Sequence, residues 1–150
     1  MEIFSKILTN TMVFLGLNAD DLCNAMDEAW RQDNGSADDD GHFVDPSAIR
    51  HWKNRAKPSR PGSTNFHYLC SGLMIVCNAI ERQRGRAMVI ALKKNNFIAA
   101  QQAVLRTVGA PFVEWDDARG LGENVRDYLE VAYYFPNDRQ NDRQQNFANG

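Results

Sequence analysis

Apolar residues recur at helical spacing over most of the chain, whereas no segment alternates apolar and polar positions strongly enough to predict a strand. Two segments, 3–17 and 64–84, carry the clearest stripes, at spacings of three and four residues. The stripe positions are Phe4, Leu8, Met12 and Leu15 in the first segment, and Phe66, Leu69, Leu73, Val76 and Ile80 in the second. Stripes of this width are typical of helices buried against a core, so the sequence predicts an all-α protein.

Capping residues and helix breakers predict where two further helices begin and end. Asn18 or Asp20 can cap a helix that runs to about Gln32. A short helix should begin at Asp45-Pro46, because an aspartate accepts from unpaired backbone N–H groups and a proline suits the first helical position. Pro58 then stops this helix.

The second half of the chain predicts more helix. Residues 86–107 are rich in good helix formers and should form one helix, or two that meet near Asn95. A last helix should begin near Gly122 and end at Pro136. Residues 137–150 are polar, with little to bury, and we expect a disordered tail.

Charge is strongly segregated along the chain, although the net charge of −2 argues against a protein that coats polyanions generally. Residues 20–45 contain nine acids and one base, whereas residues 50–60 contain five bases and no acid. A second basic cluster consists of Arg82, Arg84, Arg86, Lys93 and Lys94. These segments either neutralise each other in the fold or present one basic face to a polyanion.

The short basic helix divides into two faces. Ile49 and Trp52 lie three residues apart and should enter the core. The opposite side carries residue types that read base edges or hold phosphates, which is the layout of a helix in a DNA groove. The predicted base-reading residues are Ser47, Arg50, His51 and Asn54, and the predicted phosphate contacts are Lys53, Arg55, Lys57 and Arg60.

A resemblance to a known family follows from these residues. SAIRHWKNRAKPSRP, residues 47–61, resembles the recognition helix and following turn of lambda-repressor-like (Cro/C1-type) helix-turn-helix regulators of phages and bacteria. FHYLCSGL, residues 66–73, is similar to the next helix of that family. The resemblance covers about residues 35–73 and has Arg55-Ala56 where the family usually has glycine. It implies a sequence-specific transcriptional regulator that binds double-stranded DNA as a homodimer.

Under this interpretation the chain has four parts. Residues 1–18 are an N-terminal helix and 19–84 a helix-turn-helix-like domain. Residues 86–136 form a helical region for dimerisation or packing, and 137–150 form the tail.

A second interpretation arises from the acidic segment SADDDGHF, residues 36–43, where the family has the first helix of its motif. Three consecutive aspartates, Asp38 to Asp40, would repel a phosphate backbone if they lay beside it. The alternative is therefore a non-enzymatic interaction protein whose acidic surface meets a basic protein partner, as in DNA mimics and phage inhibitors of host defence.

Metal binding and catalysis are less favoured by the pattern. His67, Cys70, Met74 and Cys77 share one side of a helix, but a structural zinc site usually draws close pairs of ligands from two segments. No phosphate-binding glycine loop, dinucleotide fingerprint or nucleophile elbow occurs. We therefore expect no cofactor, no metal and no enzymatic activity.

The cellular location is predicted from cysteine usage and hydropathy. Three cysteines without a pairing pattern indicate a reducing compartment. No apolar run approaches the roughly 20 residues that cross a bilayer. The sequence thus predicts a cytoplasmic protein that does not enter membranes.

Overall fold

Six helices make up the structure, a computed structural model that describes residues 3–35, 44–54, 56 and 59–149, with side chains described as far as residue 135. In chain order they are α1 (Ile3–Leu15), α2 (Ala19–Asn34), α3 (Pro46–Lys53), α4 (Ser63–Arg82), α5 (Arg84–Arg106) and α6 (Leu121–Asn149). These described residues contain no strand. The predicted all-α class is confirmed.

Side-chain caps fix the starts of α2 and α3. Asn18 Oδ1 accepts from the Asp21 N–H at 2.8 Å, and the Asn18 N–H donates to Asp21 Oδ2 at 3.0 Å. This reciprocal capping box satisfies two backbone donors at once. At α3, Asp45 Oδ1 accepts from the Ser47 N–H at 2.9 Å, and Pro46 occupies the first helical turn. Both predicted helix starts are confirmed.

The C-terminal half differs from the prediction at one boundary. α5 is a single helix through Asn95, which was one of the two predicted arrangements. α6, however, does not end at Pro136: its helical backbone continues to Asn149, so the predicted end is wrong. A proline inside a helix removes one N–H donor and crowds the preceding turn, which can kink the helix without ending it. The predicted tail consists of residues 137–150, and the structure does not describe the side chains of these residues.

α1 lies at the centre of the packing, in contact with α3, α5 and α6. Four of its apolar side chains, Ile3, Phe4, Ile7 and Leu8, are fully buried. α2 packs on α3 and α4, and α4 also contacts α5 and α6. One hydrophobic cluster draws residues from all six helices, so the N-terminal helix and the segments 19–84 and 86–136 share a core.

A glycine sets the separation of α2 and α4. A Cβ atom built at Gly72 would lie 2.9 Å from the Ala25 carbonyl carbon and 2.9 Å from the Met26 backbone nitrogen. Since real Cβ atoms do not approach backbone so closely, the two helices can pack at this distance only with glycine at position 72.

A buried amide ties α5 to α1. The side chain of Gln101 is fully buried and donates to the Ile7 carbonyl oxygen at 3.2 Å and to Thr11 Oγ1 at 3.2 Å. Its oxygen accepts from Asn10 Nδ2 at 3.0 Å. Because both ends of the buried amide are hydrogen-bonded, this contact fixes how α5 lies across α1.

Candidate nucleic-acid interface

α3 is held against the body of the protein by two apolar anchors. Ile49 is fully buried and Trp52 is 4% exposed, and the helix packs on α1 and α2. The prediction that both residues enter the core is confirmed. Complete burial of a side chain of this size contributes about 1.5–3 kcal/mol. The eight residues of α3, about 12 Å in length, are therefore fixed in position by one face.

The opposite face of α3 points to solvent. Ser47, Arg50 and His51 are exposed, and Lys53 is half-buried. Within the described ranges, no ion pair joins Arg50 or Lys53 to an acidic side chain. An arginine presented in this way can donate two hydrogen bonds to an acceptor pair such as a guanine edge or a phosphate.

Asn54 already uses its side-chain oxygen in the turn that follows α3. Asn54 Oδ1 accepts from the Ala56 N–H at 2.9 Å. Bidentate recognition of adenine needs both the oxygen and the nitrogen of the amide. The structure therefore gives Asn54 a local structural contact, and its base-reading role stays a prediction.

Arg60 turns inward, contrary to its prediction as a phosphate contact. Its guanidinium donates to the Tyr133 carbonyl oxygen. Its Cζ lies 5.7 Å from the ring centroid of Phe4 and 5.9 Å from that of Tyr133. A flat guanidinium gains both a hydrogen bond and a cation–π attraction in this position, which favours the interior over the surface.

Two of the predicted DNA contacts, Arg55 and Lys57, lie outside the described residues, as does the acidic run from Asp38 to Asp40. Of the predicted contacts on α3, the structure leaves Ser47, Arg50 and His51 exposed, and Lys53 is half-buried at the end of the helix.

The electrostatic surroundings of α3 are mixed. The Cys23 thiol, beneath α3, donates to the Val44 carbonyl oxygen at 3.4 Å. Its pKa is raised to about 11, first by burial and then by the carboxylates of Asp27, Asp20 and Asp45, while Arg50 opposes the shift. Nearby carboxylates therefore raise the pKa of this thiol, whereas the guanidinium of Arg50 lowers it.

The candidate metal ligands on α4 diverge in the structure. Cys70 and Cys77 are buried, and burial raises the pKa of each thiol to about 12. His67 is exposed instead, with its Nε2 3.6 Å from Asp33 Oδ2. No group of three or more potential metal-ligating side chains occurs among the residues that the structure describes.

A further exposed feature was missed by the sequence reasoning. Met88, Val89 and Leu92 of α5 lie on its solvent side, off the buried stripe that contains Ile90 and Phe97. The signal was present in the sequence, because apolar residues at 88, 89 and 92 fall outside a single 3-4 stripe through 90 and 97.

Comparison of the chain with models of protein families, with curated proteins and with solved structures finds no match. Among the described helices, none combines the length and apolar character that crossing a membrane requires.

Proposed function

We propose that this chain is a non-enzymatic protein that binds double-stranded DNA, with the exposed face of α3 in the major groove. The observation that carries the proposal is the division of α3. Ile49 and Trp52 anchor one face, while Arg50, His51 and Ser47 stand outward on the other. A helix with its side chains is about 10–12 Å wide, which matches a major groove of about 12 Å.

Each outward side chain has a role under this proposal. Arg50 would pair with the acceptor edge of guanine, and Lys53 would contact a phosphate oxygen. Ser47 and His51 can donate to phosphates or base edges from the same side. The buried anchors support this assignment, because recognition needs side chains held on a rigid element.

Sequence specificity, a regulatory role and a homodimer form the finer part of the proposal. A two-fold dimer would present two copies of α3 to two half-sites. Two copies of α5 would repel each other in a face-to-face contact, because each carries five basic residues and no acidic residue. The dimer interface is therefore proposed to lie outside the α5 face.

Binding to duplex DNA of mixed sequence, followed by fluorescence anisotropy at low and at moderate salt, tests the proposal. The double variant Arg50→Ala/Lys53→Ala should lose at least about tenfold in affinity, since one base contact alone contributes about 1–3 kcal/mol. The matched control is Arg82→Ala/Arg84→Ala, which removes the same charge from exposed positions at the junction of α4 and α5.

Three outcomes are distinguishable. If the α3 double variant loses DNA affinity and the control variant keeps it, the result supports the proposal. If the α3 double variant keeps DNA affinity and the control variant loses it, the DNA lies at the junction of α4 and α5, and the role of α3 is refuted. Absence of binding at low salt would refute DNA binding altogether.

A second candidate, a binding protein with an acidic working surface, is favoured by one observation. The exposed residues of α2 include Asp20, Asp21, Glu28 and Asp33, against a single base, Arg31. This candidate predicts that the chain displaces DNA from a basic DNA-binding protein. Replacement of Asp20, Glu28 and Asp33 by their amides should abolish that competition.

A further inference from the structure

α5 leaves an apolar surface without a partner among the described residues. Leu92 is 85% exposed, Met88 62% and Val89 51%, and Val13 of α1, which lines a cleft together with Lys93 of α5, is 70% exposed. Large apolar side chains that cluster at such exposure commonly mark an interaction surface.

A groove runs between α1 and α5, and two of these side chains, Val13 and Val89, line it. It contains two cavities, of about 360 and 310 Å³, which share Phe14 and Lys93 in their walls. Along α5 the groove extends from Gly85 to Ala100, roughly 22 Å at the helical rise per residue. This length accommodates about four turns of a second helix.

The floor of the groove is rigid and apolar. Phe14 is 4% exposed and stacks on Phe97, with ring centroids 4.0 Å apart and ring planes 9° apart. The hydrogen bonds of Gln101 to Ile7 and Thr11 hold the two helices together at one end. The groove is thus formed before a partner arrives, which lowers the entropic cost of binding.

The charge around the groove has one sign. Arg86 and Lys93 are the charged residues in the walls of the two cavities, and no acidic side chain lines either of them. α5 as a whole contains no acidic residue. Its Lys94 is already paired with Asp117 Oδ1 at 3.0 Å, on the side away from this groove.

We propose that the groove between α1 and α5 binds an acidic amphipathic helix from a partner protein. The apolar face of such a helix would lie on Phe14, Val13 and Val89, and its flanking carboxylates would meet Arg86 and Lys93. A second copy of α5 would bring cations against cations, and a membrane surface does not match a concave groove. The proposal concerns a surface separate from α3 and does not depend on DNA binding.

A fluorescein-labelled peptide with capped ends provides the test. The probe is a 14-residue helix with leucines on one face and glutamates on both flanks. One control peptide has glutamine for every glutamate, and another has the same composition in scrambled order. Anisotropy titrations with the full chain should show salt-sensitive binding of the probe and at least about tenfold weaker binding of either control.

Variants locate the site on the protein. Val89→Ser and Lys93→Gln should each weaken binding of the probe, by about fivefold for the valine, whose half-exposed side chain lines the groove and would be buried by the partner. Phe112→Ser and Arg106→Gln are the matched controls. Both residues are exposed and neither lines the cavities, so affinity should not change. Circular dichroism confirms that each variant is folded.

Four results would overturn the proposal. The first is absence of probe binding at low salt, and the second is equal binding of the glutamine peptide. The third is failure to bind the probe while vesicles of phosphatidylcholine and phosphatidylglycerol are bound and Val89→Ser abolishes that vesicle binding, which would assign the surface to a membrane. The fourth is failure to bind the probe while the chain self-associates in sedimentation and Val89→Ser abolishes that self-association, which would assign the surface to a second copy.

Discussion

The close approach of α2 and α4 at Gly72 makes a prediction whose sign opposes that of helix propensity. In the interior of an exposed helix, replacing glycine by alanine stabilises the protein by about 0.5–1 kcal/mol. At position 72 the added methyl group would lie 2.9 Å from the backbone of Ala25 and of Met26. Backbone atoms cannot rotate away as a flexible side chain can, so α2 and α4 must separate.

The magnitude follows from the two opposing effects. Overpacking of a well-packed interior costs about 1–3 kcal/mol, against which the propensity gain recovers less than about 1 kcal/mol. Gly72→Ala should therefore lower the free energy of unfolding by about 1–2 kcal/mol. For a chain of this length, Tm should fall by about 2–8 °C.

Urea and thermal unfolding, followed by circular dichroism, provide the measurement. Gly85→Ala is the matched control, because Gly85 lies in α5 and no atom of another segment is within 4 Å of the added carbon. The control should be neutral or stabilising by up to about 1 kcal/mol. If Gly72→Ala were as stable as the original protein or more stable, the described contact between α2 and α4 would be refuted.

Three other changes test separate parts of the account. Asp45→Ala removes the cap of α3 and should lower the free energy of urea unfolding by about 1 kcal/mol. Asp45→Asn should retain most of the original stability, because an asparagine can also cap a helix. Equal stability of all three proteins would show that Asp45 does not stabilise α3 as a cap. Arg60→Ala should lower the free energy of unfolding by about 2–3 kcal/mol, because it removes a charged hydrogen bond and a cation–π contact, and it should leave DNA affinity unchanged. If Tm were unaltered and DNA binding weaker, Arg60 would instead be the phosphate contact that the sequence predicts. Burial raises the pKa of Cys70 and of Cys77 from 9.0 to about 12, so the folded state favours the neutral thiols. Their contribution to the free energy of unfolding is therefore complete below pH 9 and is lost as the pH rises towards 12. The urea midpoint should fall over that range, and less so in Cys70→Ala/Cys77→Ala; identical pH dependence in both proteins would contradict the assignment.

Local signals in the sequence were sufficient to predict the helices, apart from the end of α6. The start of α3 depends on Asp45 and Pro46, which act on backbone groups one or two residues away, and its orientation depends on Ile49 and Trp52. Such effects are readable without the fold, because both partners lie within one or two turns. The end of α6 was predicted wrongly at Pro136, because the local rule states only that a proline disfavours a helix interior. The helical backbone of α6 continues beyond this proline.

The side-chain environment of the candidate site could not be read in the same way. Arg60 belongs to a basic run in the sequence, yet its partners Phe4 and Tyr133 come from opposite ends of the chain. Gln101 gave no signal of burial, because its partners Ile7 and Thr11 lie in the first helix. These contacts depend on the packing of distant segments, which residue spacing does not encode.

The central claim, that DNA lies on the outward face of α3, is tested most directly by comparing the salt dependence of DNA binding in the unaltered protein and in Arg50→Ala/Lys53→Ala. Each phosphate neutralised contributes about −0.9 to the slope of log K against log salt concentration. With Lys53 on a phosphate and Arg50 on a base or a phosphate, we predict that the slope is less steep in the variant by about 1 to 2. The same slope in both proteins, or no binding by the unaltered protein at the lowest salt concentration, would contradict the claim.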